Sequence, residues 1–197
     1  MAKLFFRYST MNAGKTIDLI RTNHNYVENN KLTLCFTSSK DNRYGNNKIT
    51  SRIGLSIDAI SITEETNIYN IVKEKNKKTK LSCVFVDESQ FLNKKQVYEL
   101  TDIVDLLDIP VICYGLRSDF KFDTFEGSKF LLALSDEIEE LKTLCSECKI
   151  KKATLNARIL NGEIITKGKQ IQIGGNDKYK PMCRKCFKKL TNGNNIL

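Results

Sequence analysis

Leu4-Phe5-Phe6-Arg7-Tyr8-Ser9-Thr10-Met11-Asn12-Ala13-Gly14-Lys15-Thr16-Ile17 joins an apolar run to a helically spaced stretch through a Gly-Lys-Thr turn. Leu4–Tyr8 reads as a strand, and 17–27 as a helix with Ile17, Ile20 and His24 on one face. A turn with a strand before it and a helix after it is the setting of a phosphate-binding loop. There, successive backbone N–H groups and the helix N-terminus offer unpaired donors and a positive dipole end to an anion. Ser9, Thr10, Met11, Asn12, Ala13 and Gly14 form the loop, Lys15 reaches the β- and γ-phosphates as a point charge, and the Thr16 hydroxyl is placed to ligate Mg²⁺. Ser9 stands where such loops usually open with glycine, and it fits only if its φ stays negative.

Outward from the loop, short apolar runs alternate with amphipathic stretches. Strands are predicted at 32–36, 83–86 and 111–114, helices at 67–75, 94–107 and 128–134, and a last strand at 139–144. That alternation implies an α/β domain around a parallel sheet. Asp87 and Glu88 end the apolar run Val84-Phe85-Val86, as the Mg²⁺-associated acid of a nucleotide-hydrolysing or nucleotide-transferring site does. At the carboxyl end of a parallel strand they would lie beside the phosphate loop. Loop and acid pair together imply a protein that handles ATP or GTP. Cys35, Cys83 and Cys113 sit inside apolar strands and read as core.

The 197 residues are 41% hydrophobic, enough for a buried core, which excludes wholesale disorder. No apolar run approaches the roughly 18–20 residues of a membrane span. Met1–Tyr8 lacks the layout of a signal peptide, so a cytoplasmic protein is expected, with its seven cysteines reduced. The net charge of +9 is unevenly spread: residues 1–141 carry 19 Lys/Arg against 20 Asp/Glu, and 142–197 carry 13 against 3. The composition therefore divides the chain into an ATP-binding unit, 1–141, and a basic unit, 142–197. The basic unit holds Cys145-x-x-Cys148 and, after 34 residues, Cys183-x-x-Cys186, the spacing of a four-thiolate Zn²⁺ site. Four protein ligands leave no open position, so such a zinc is structural. Its two arms look poor in apolar residues of their own. A basic zinc unit beside an ATP site would also suit a nucleic-acid-dependent ATPase. The absence of basic excess in 1–141, and of repeated aromatic-plus-basic spacing, argues against a nucleic-acid partner.

The motifs in order resemble those of the type II thymidine kinases, the cytosolic, zinc-containing family. They are Tyr8–Thr16, Asp41-Asn42-Arg43, Asp87-Glu88-Ser89-Gln90-Phe91, Tyr114-Gly115-Leu116-Arg117-Ser118-Asp119-Phe120, Leu141-Lys142-Thr143 and Ile173-Gly174-Gly175-Asn176-Asp177-Lys178-Tyr179, closed by the two cysteine pairs. Ser9 and Asn12 resemble the bacterial branch. The resemblance implies a RecA-like ATP-binding domain with a parallel central sheet, followed by a small zinc-binding domain that carries a lasso-like loop over the nucleoside. It implies transfer of the γ-phosphoryl of ATP to the 5′-hydroxyl of thymidine.

By the same resemblance Glu88 is the general base, because a 5′-hydroxyl is a poor nucleophile until a placed carboxylate accepts its proton. Arg43 is the guanidinium at the transferring phosphoryl, with Arg52 and Arg117 as lesser helpers, and Asp87, Glu88, Ser89 and Gln90 belong to the ATP and Mg²⁺ side. The apolar and aromatic pocket falls on Met11, Phe91, Leu116, Phe120 and Phe125. Ile171, Gln172, Ile173, Gly174 and Tyr179 belong to the lasso, which Gln170–Ile173 should enter as a strand. Main-chain reading of the base edge would exclude cytosine, whereas the thymine methyl is worth only about 1–3 kcal/mol, so deoxyuridine should be accepted. A homotetramer and feedback inhibition by thymidine triphosphate are likewise implied by the family alone.

Overall fold

In the computed structural model of the chain, which describes residues 1–41, 45 and 47–191, the Gly-Lys-Thr turn joins β1 (Leu4–Ser9) to α1 (Lys15–Glu28). The chain continues through β2 (Leu32–Ser38), the short pair β3 (Lys48–Thr50) and β4 (Ser56–Asp58), then β5 (Ile60–Ile62), α2 (Ile68–Lys78) and β6 (Leu81–Val86). A 3₁₀ turn (Ser89–Phe91) leads to α3 (Lys94–Leu107), β7 (Val111–Leu116), α4 (Glu126–Leu134) and β8 (Glu137–Glu140). The last elements are β9 (Leu155–Leu160), β10 (Glu163–Ile165), β11 (Tyr179–Met182) and α5 (Arg184–Leu190).

Six strands form one sheet in the order β5-β2-β6-β7-β1-β8, every pair parallel, as the alternation of elements predicts. The period of two along its strands sorts the core. Leu4, Phe6, Val84, Val86, Val111 and Cys113 face α2, α3 and α4, whereas Cys83, Phe85, Ile112 and Tyr114 face Leu19 and Ile20 of α1. Both sides are covered, which is why the strands read as continuous apolar runs. The inner stripe of α1 is Leu19, Ile20 and Asn23, and His24 is exposed, contrary to the face inferred from Ile17, Ile20 and His24. Asn23 is drawn inward by the Thr33 hydroxyl, which donates to its amide oxygen at 2.6 Å. The edge strand β8 ends at Glu140, earlier than expected, because Thr143 and Leu144 already pair with the start of the cysteine-bearing segment, Ala153 N to Thr143 O at 2.8 Å.

From Cys145 onward a second sheet forms, antiparallel in the order β10-β9-β11, with α5 beside it. It has a core of its own: Leu155, Ala157, Met182 and Phe187 pack around Cys145 and Cys183. This corrects the expectation of apolar-poor arms. Strand β9, Leu-Asn-Ala-Arg-Ile-Leu, has the alternation of a strand with one wet face, yet its polar positions Asn156 and Arg158 are buried. Gln170–Ile173 is not a strand, since among the described residues no partner strand pairs with it. No described helix is long and apolar enough to cross a membrane.

Candidate active site

At the carboxyl end of β1 the loop closes on α1 through two left-handed residues, Asn12 with φ +63° and Gly14 with φ +76°. Gly14 has no steric cost there, and α1 starts immediately after it, leaving its first N–H groups directed into the loop. Ser9 keeps a negative φ, as its place in the loop demands, and its hydroxyl donates to the Leu141 carbonyl after β8. The Lys15 ammonium donates to the Thr10 carbonyl at 2.7 Å, and desolvation pulls its pKa below the ordinary lysine value. Thr16 donates to Asp87 Oδ2 at 3.3 Å.

Asp87 follows β6, two strands from β1 in the sheet. Burial, and then the charge of Glu88, push its carboxyl up to about 7. Glu88 itself is left-handed, φ +51°, at the start of the 3₁₀ turn, so the turn rather than the strand sets its direction. That turn is clamped. The Ser89 hydroxyl donates to the Tyr114 carbonyl at 2.9 Å, Gln90 Oε1 accepts from Leu116 N at 3.0 Å, and the Gln90 amide donates to the Glu88 carboxylate. Two glycines let the turn approach so closely. A Cβ on Gly115 would lie 2.7 Å from Ser89 Oγ, and one on Gly127 would meet the Ser89 carbonyl and lie 2.9 Å from that of Leu92.

A cavity of about 390 Å³ opens between the loop and the second sheet. Met11, Asn12, Ala13, Gly14, Lys15, Thr16, Asp87, Glu88 and Gln90 line its phosphate end, and Phe91, Leu116, Phe120, Phe125, Ile171, Gln172, Ile173, Gly174 and Tyr179 line the rest. Phe91 and Phe125 meet edge to face, their centroids 6.0 Å apart. Of the expected site residues, Ser9, Thr10 and Ser89 stand behind the wall as supports, and Arg43 lies outside the described residues. Arg117 faces a separate crevice beside Tyr8 and Thr154. Arg52 does line the cavity: its guanidinium donates to the amide oxygens of Asn12 and Asn176, the latter at 2.6 Å, so that loop, β3–β4 turn and lasso meet at one point.

Two residues unforeseen from the sequence come from β9. Asn156 Oδ1 accepts from Met11 N at 2.8 Å, which ties the second sheet to the phosphate loop. Arg158 supports the lasso and the ring of Phe120. An alternating strand with two buried polar residues was the available signal, but it is indistinguishable in sequence from a strand with one wet face.

The thiol groups of Cys145, Cys148, Cys183 and Cys186 all lie within 4.8 Å of one another. A tetrahedral zinc with bonds of about 2.3 Å would separate its sulfurs by about 3.8 Å, so the donor set fits that ion. The backbone N–H groups of Lys151 and Ile150 pull the Cys148 thiol down to about 6, whereas hydrogen bonding with Cys183 pushes Cys186 up to about 12, so the cluster holds protons that a bound metal would displace. Cys35, Cys83 and Cys113 are buried in the large sheet, apart from this cluster.

A phosphate loop, an acid pair facing it and an adjoining apolar cavity define an enzyme of the phosphotransferase class. The sequence profile of the family described as thymidine kinase matches residues 2–187. The chain is 53% identical over 189 residues to a thymidine kinase of Haemophilus influenzae, covering 95% of this chain and 97% of that one. It is 51% identical over 187 residues to a thymidine kinase of Enterococcus faecalis, covering 95% of each. The chain belongs to the thymidine kinase family.

Proposed function

We propose that the enzyme transfers the γ-phosphoryl of ATP to the 5′-hydroxyl of thymidine, and of deoxyuridine, in the cytoplasm. The observation that carries this reading is the arrangement of one cavity, with Lys15, Thr16, Asp87 and Glu88 at one end and Leu116, Phe120, Phe125 and the lasso at the other. The thymidine kinases of the bacterial relatives lend the substrate its name. Family membership also decides between the two activities weighed from the sequence, in favour of the kinase over a nucleic-acid-dependent ATPase.

In this reading the N–H groups of residues 12–16 and the Lys15 ammonium cradle the phosphates. Asp87 and Thr16 are the oxygen donors for Mg²⁺; a buried carboxylate with a raised pKa beside a hydroxyl is a site that a hard cation completes. Bound there, Mg²⁺ would supply charge neutralisation on the phosphates. Glu88 accepts the proton of the 5′-hydroxyl as attack develops, held in direction by its left-handed backbone and by Gln90. Arg43, and Arg52 from the β3–β4 turn, are the guanidinium candidates for charge on the transferring group. The aromatic walls take the base, and the lasso main chain reads its edge.

Zinc on the four cysteines would be structural, anchoring the root of the lasso in the unit of residues 142–197. The tetramer and inhibition by thymidine triphosphate belong to this reading through family likeness. The test is a phosphoryl-transfer assay with Mg-ATP and thymidine, deoxyuridine, deoxycytidine or single-stranded DNA. Product with the first two only supports the reading. ATP turnover that responds to DNA and to no nucleoside refutes it.

A further inference from the structure

The lasso has no secondary structure to hold it: residues 166–178 belong to no strand and no helix. What fixes its root is one buried cation. Arg158 on β9 is 6% exposed, and its guanidinium uses all three nitrogens. Nη1 donates to the Lys169 carbonyl at 2.8 Å, Nη2 to the Gln170 carbonyl at 3.1 Å and to the Tyr179 hydroxyl at 2.9 Å, and Nε to the same hydroxyl at 3.2 Å. Tyr179 passes the connection on, donating to the Gln172 carbonyl at 2.8 Å.

The guanidinium carbon lies 3.8 Å from the centre of the Phe120 ring, whose residue also lines the cavity. Gly168 allows the approach, since its φ of +134° suits glycine and a Cβ there would lie 3.3 Å from Nη1. Among the described residues no carboxylate pairs with Arg158. A buried cation balanced only by carbonyls, a phenol and a ring face is costly compared with an apolar residue in the same strand. It is intelligible when its geometry serves a purpose. Lysine could not replace it, because its donors sit on one nitrogen, whereas these contacts are spread over Nε, Nη1 and Nη2 with the guanidinium carbon over a ring.

We propose that Arg158 is a positioning residue for the nucleoside: it holds the lasso root and the Phe120 ring in register before substrate arrives, so that affinity for thymidine, and not for ATP, depends on it. This rests on reading the cavity as the nucleoside site. The test uses the full-length, zinc-loaded enzyme and the variants Arg158→Lys and Arg158→Gln. The expected result is a KM for thymidine raised about tenfold or more, from the loss of several charge-assisted hydrogen bonds, with the KM for ATP within about twofold. Amide exchange of the ligand-free protein should accelerate across 166–174 and stay unchanged in the strands of the large sheet. Arg158→Lys, the milder change, keeps the test open should Arg158→Gln fail to fold. Unchanged thymidine KM and unchanged lasso exchange in Arg158→Lys overturn the proposal. So does an equal rise in both KM values, which would mark a general loosening of the fold. If the wild-type enzyme phosphorylates no thymidine, the nucleoside reading fails by itself, while the exchange measurement still decides whether Arg158 anchors the lasso.

Discussion

The two ends of the cavity are built by different means. At the proposed phosphate end, the wall is chiefly a turn between β1 and α1, residues 9–16, contiguous in sequence and braced by a sheet buried on both faces. At the nucleoside end, the wall is a length of chain without regular structure, held by side chains that arrive from β9, from the loop after β7 and from Tyr179. The first kind of site rests on the backbone path and on the few side chains, Lys15, Thr16 and Asp87, that face it. The second depends on individual side chains and on whatever anchors their strands. Perturbations should therefore sort by substrate, with the residues between the two ends affecting turnover itself.

The sharpest test falls at the junction. Glu88→Gln removes the proposed base while keeping shape, and kcat should fall by about 10²–10⁴ with ATP binding retained, measured by steady-state kinetics and nucleotide titration. Loss of ATP binding instead would move Glu88 to the phosphate end. Asp87→Asn should cost about 10²–10³ in activity through the lost cation ligand. It carries a second, opposite signature. The folded Asp87 carboxyl is raised to about 7, above its ordinary 3.8, so the folded apoprotein binds the extra proton and its stability falls as pH rises from about 4 through 7. The variant should therefore melt higher than wild type at pH 8 without Mg²⁺, and the gap should close toward pH 4. A variant that melts lower at pH 8 would show that burial of this charge costs nothing.

Stripping zinc with a chelator should raise the KM for thymidine more than that for ATP, because β9 and β11, which carry Arg158 and Tyr179, share their core with the cysteines. Alkylation with mass readout provides the control. Cys35, Cys83 and Cys113 are buried in the large sheet, and burial pushes Cys35 and Cys83 up to about 12, so at pH 8 label should appear first on the half-buried Cys148 of the cluster after chelation. Equal KM shifts for both substrates would erase the distinction between the two ends. Smallest of all, Tyr179→Phe removes one hydroxyl between Arg158 and the Gln172 carbonyl, worth about 0.5–1.5 kcal/mol, and should raise the thymidine KM about two- to tenfold. No shift would mean that the Arg158 contacts to the carbonyls suffice.

The same division explains what could be read from residues alone. The strand–turn–helix of 4–28, α3 with its apolar periodicity, the acid pair after β6 and the cysteine spacing are all local patterns, and they stand where the sequence puts them. In the second sheet the alternation of β9 implies solvent beside Asn156 and Arg158 where there is protein, so their buried contacts are not legible from the pattern. Gln170–Ile173 misleads in the other direction: β-branched and alternating, it has the look of a strand, but pairing is a property of neighbours, and none is there. His24 shows that a helical stripe of three residues leaves the rotation of a helix undetermined by about one position. Arg158 had no local signal at all, since its partners lie 11, 12 and 21 residues further on.

The cavity draws its walls from Met11 at one extreme of the chain to Tyr179 at the other. In chain order the residues of the loop after β1 come first and those of the opposite wall, from Gln170 to Tyr179, come last. A chain cut short of residue 170 would keep the strand–turn–helix of 4–28 and lack that wall, so the cavity is a property of nearly the whole sequence.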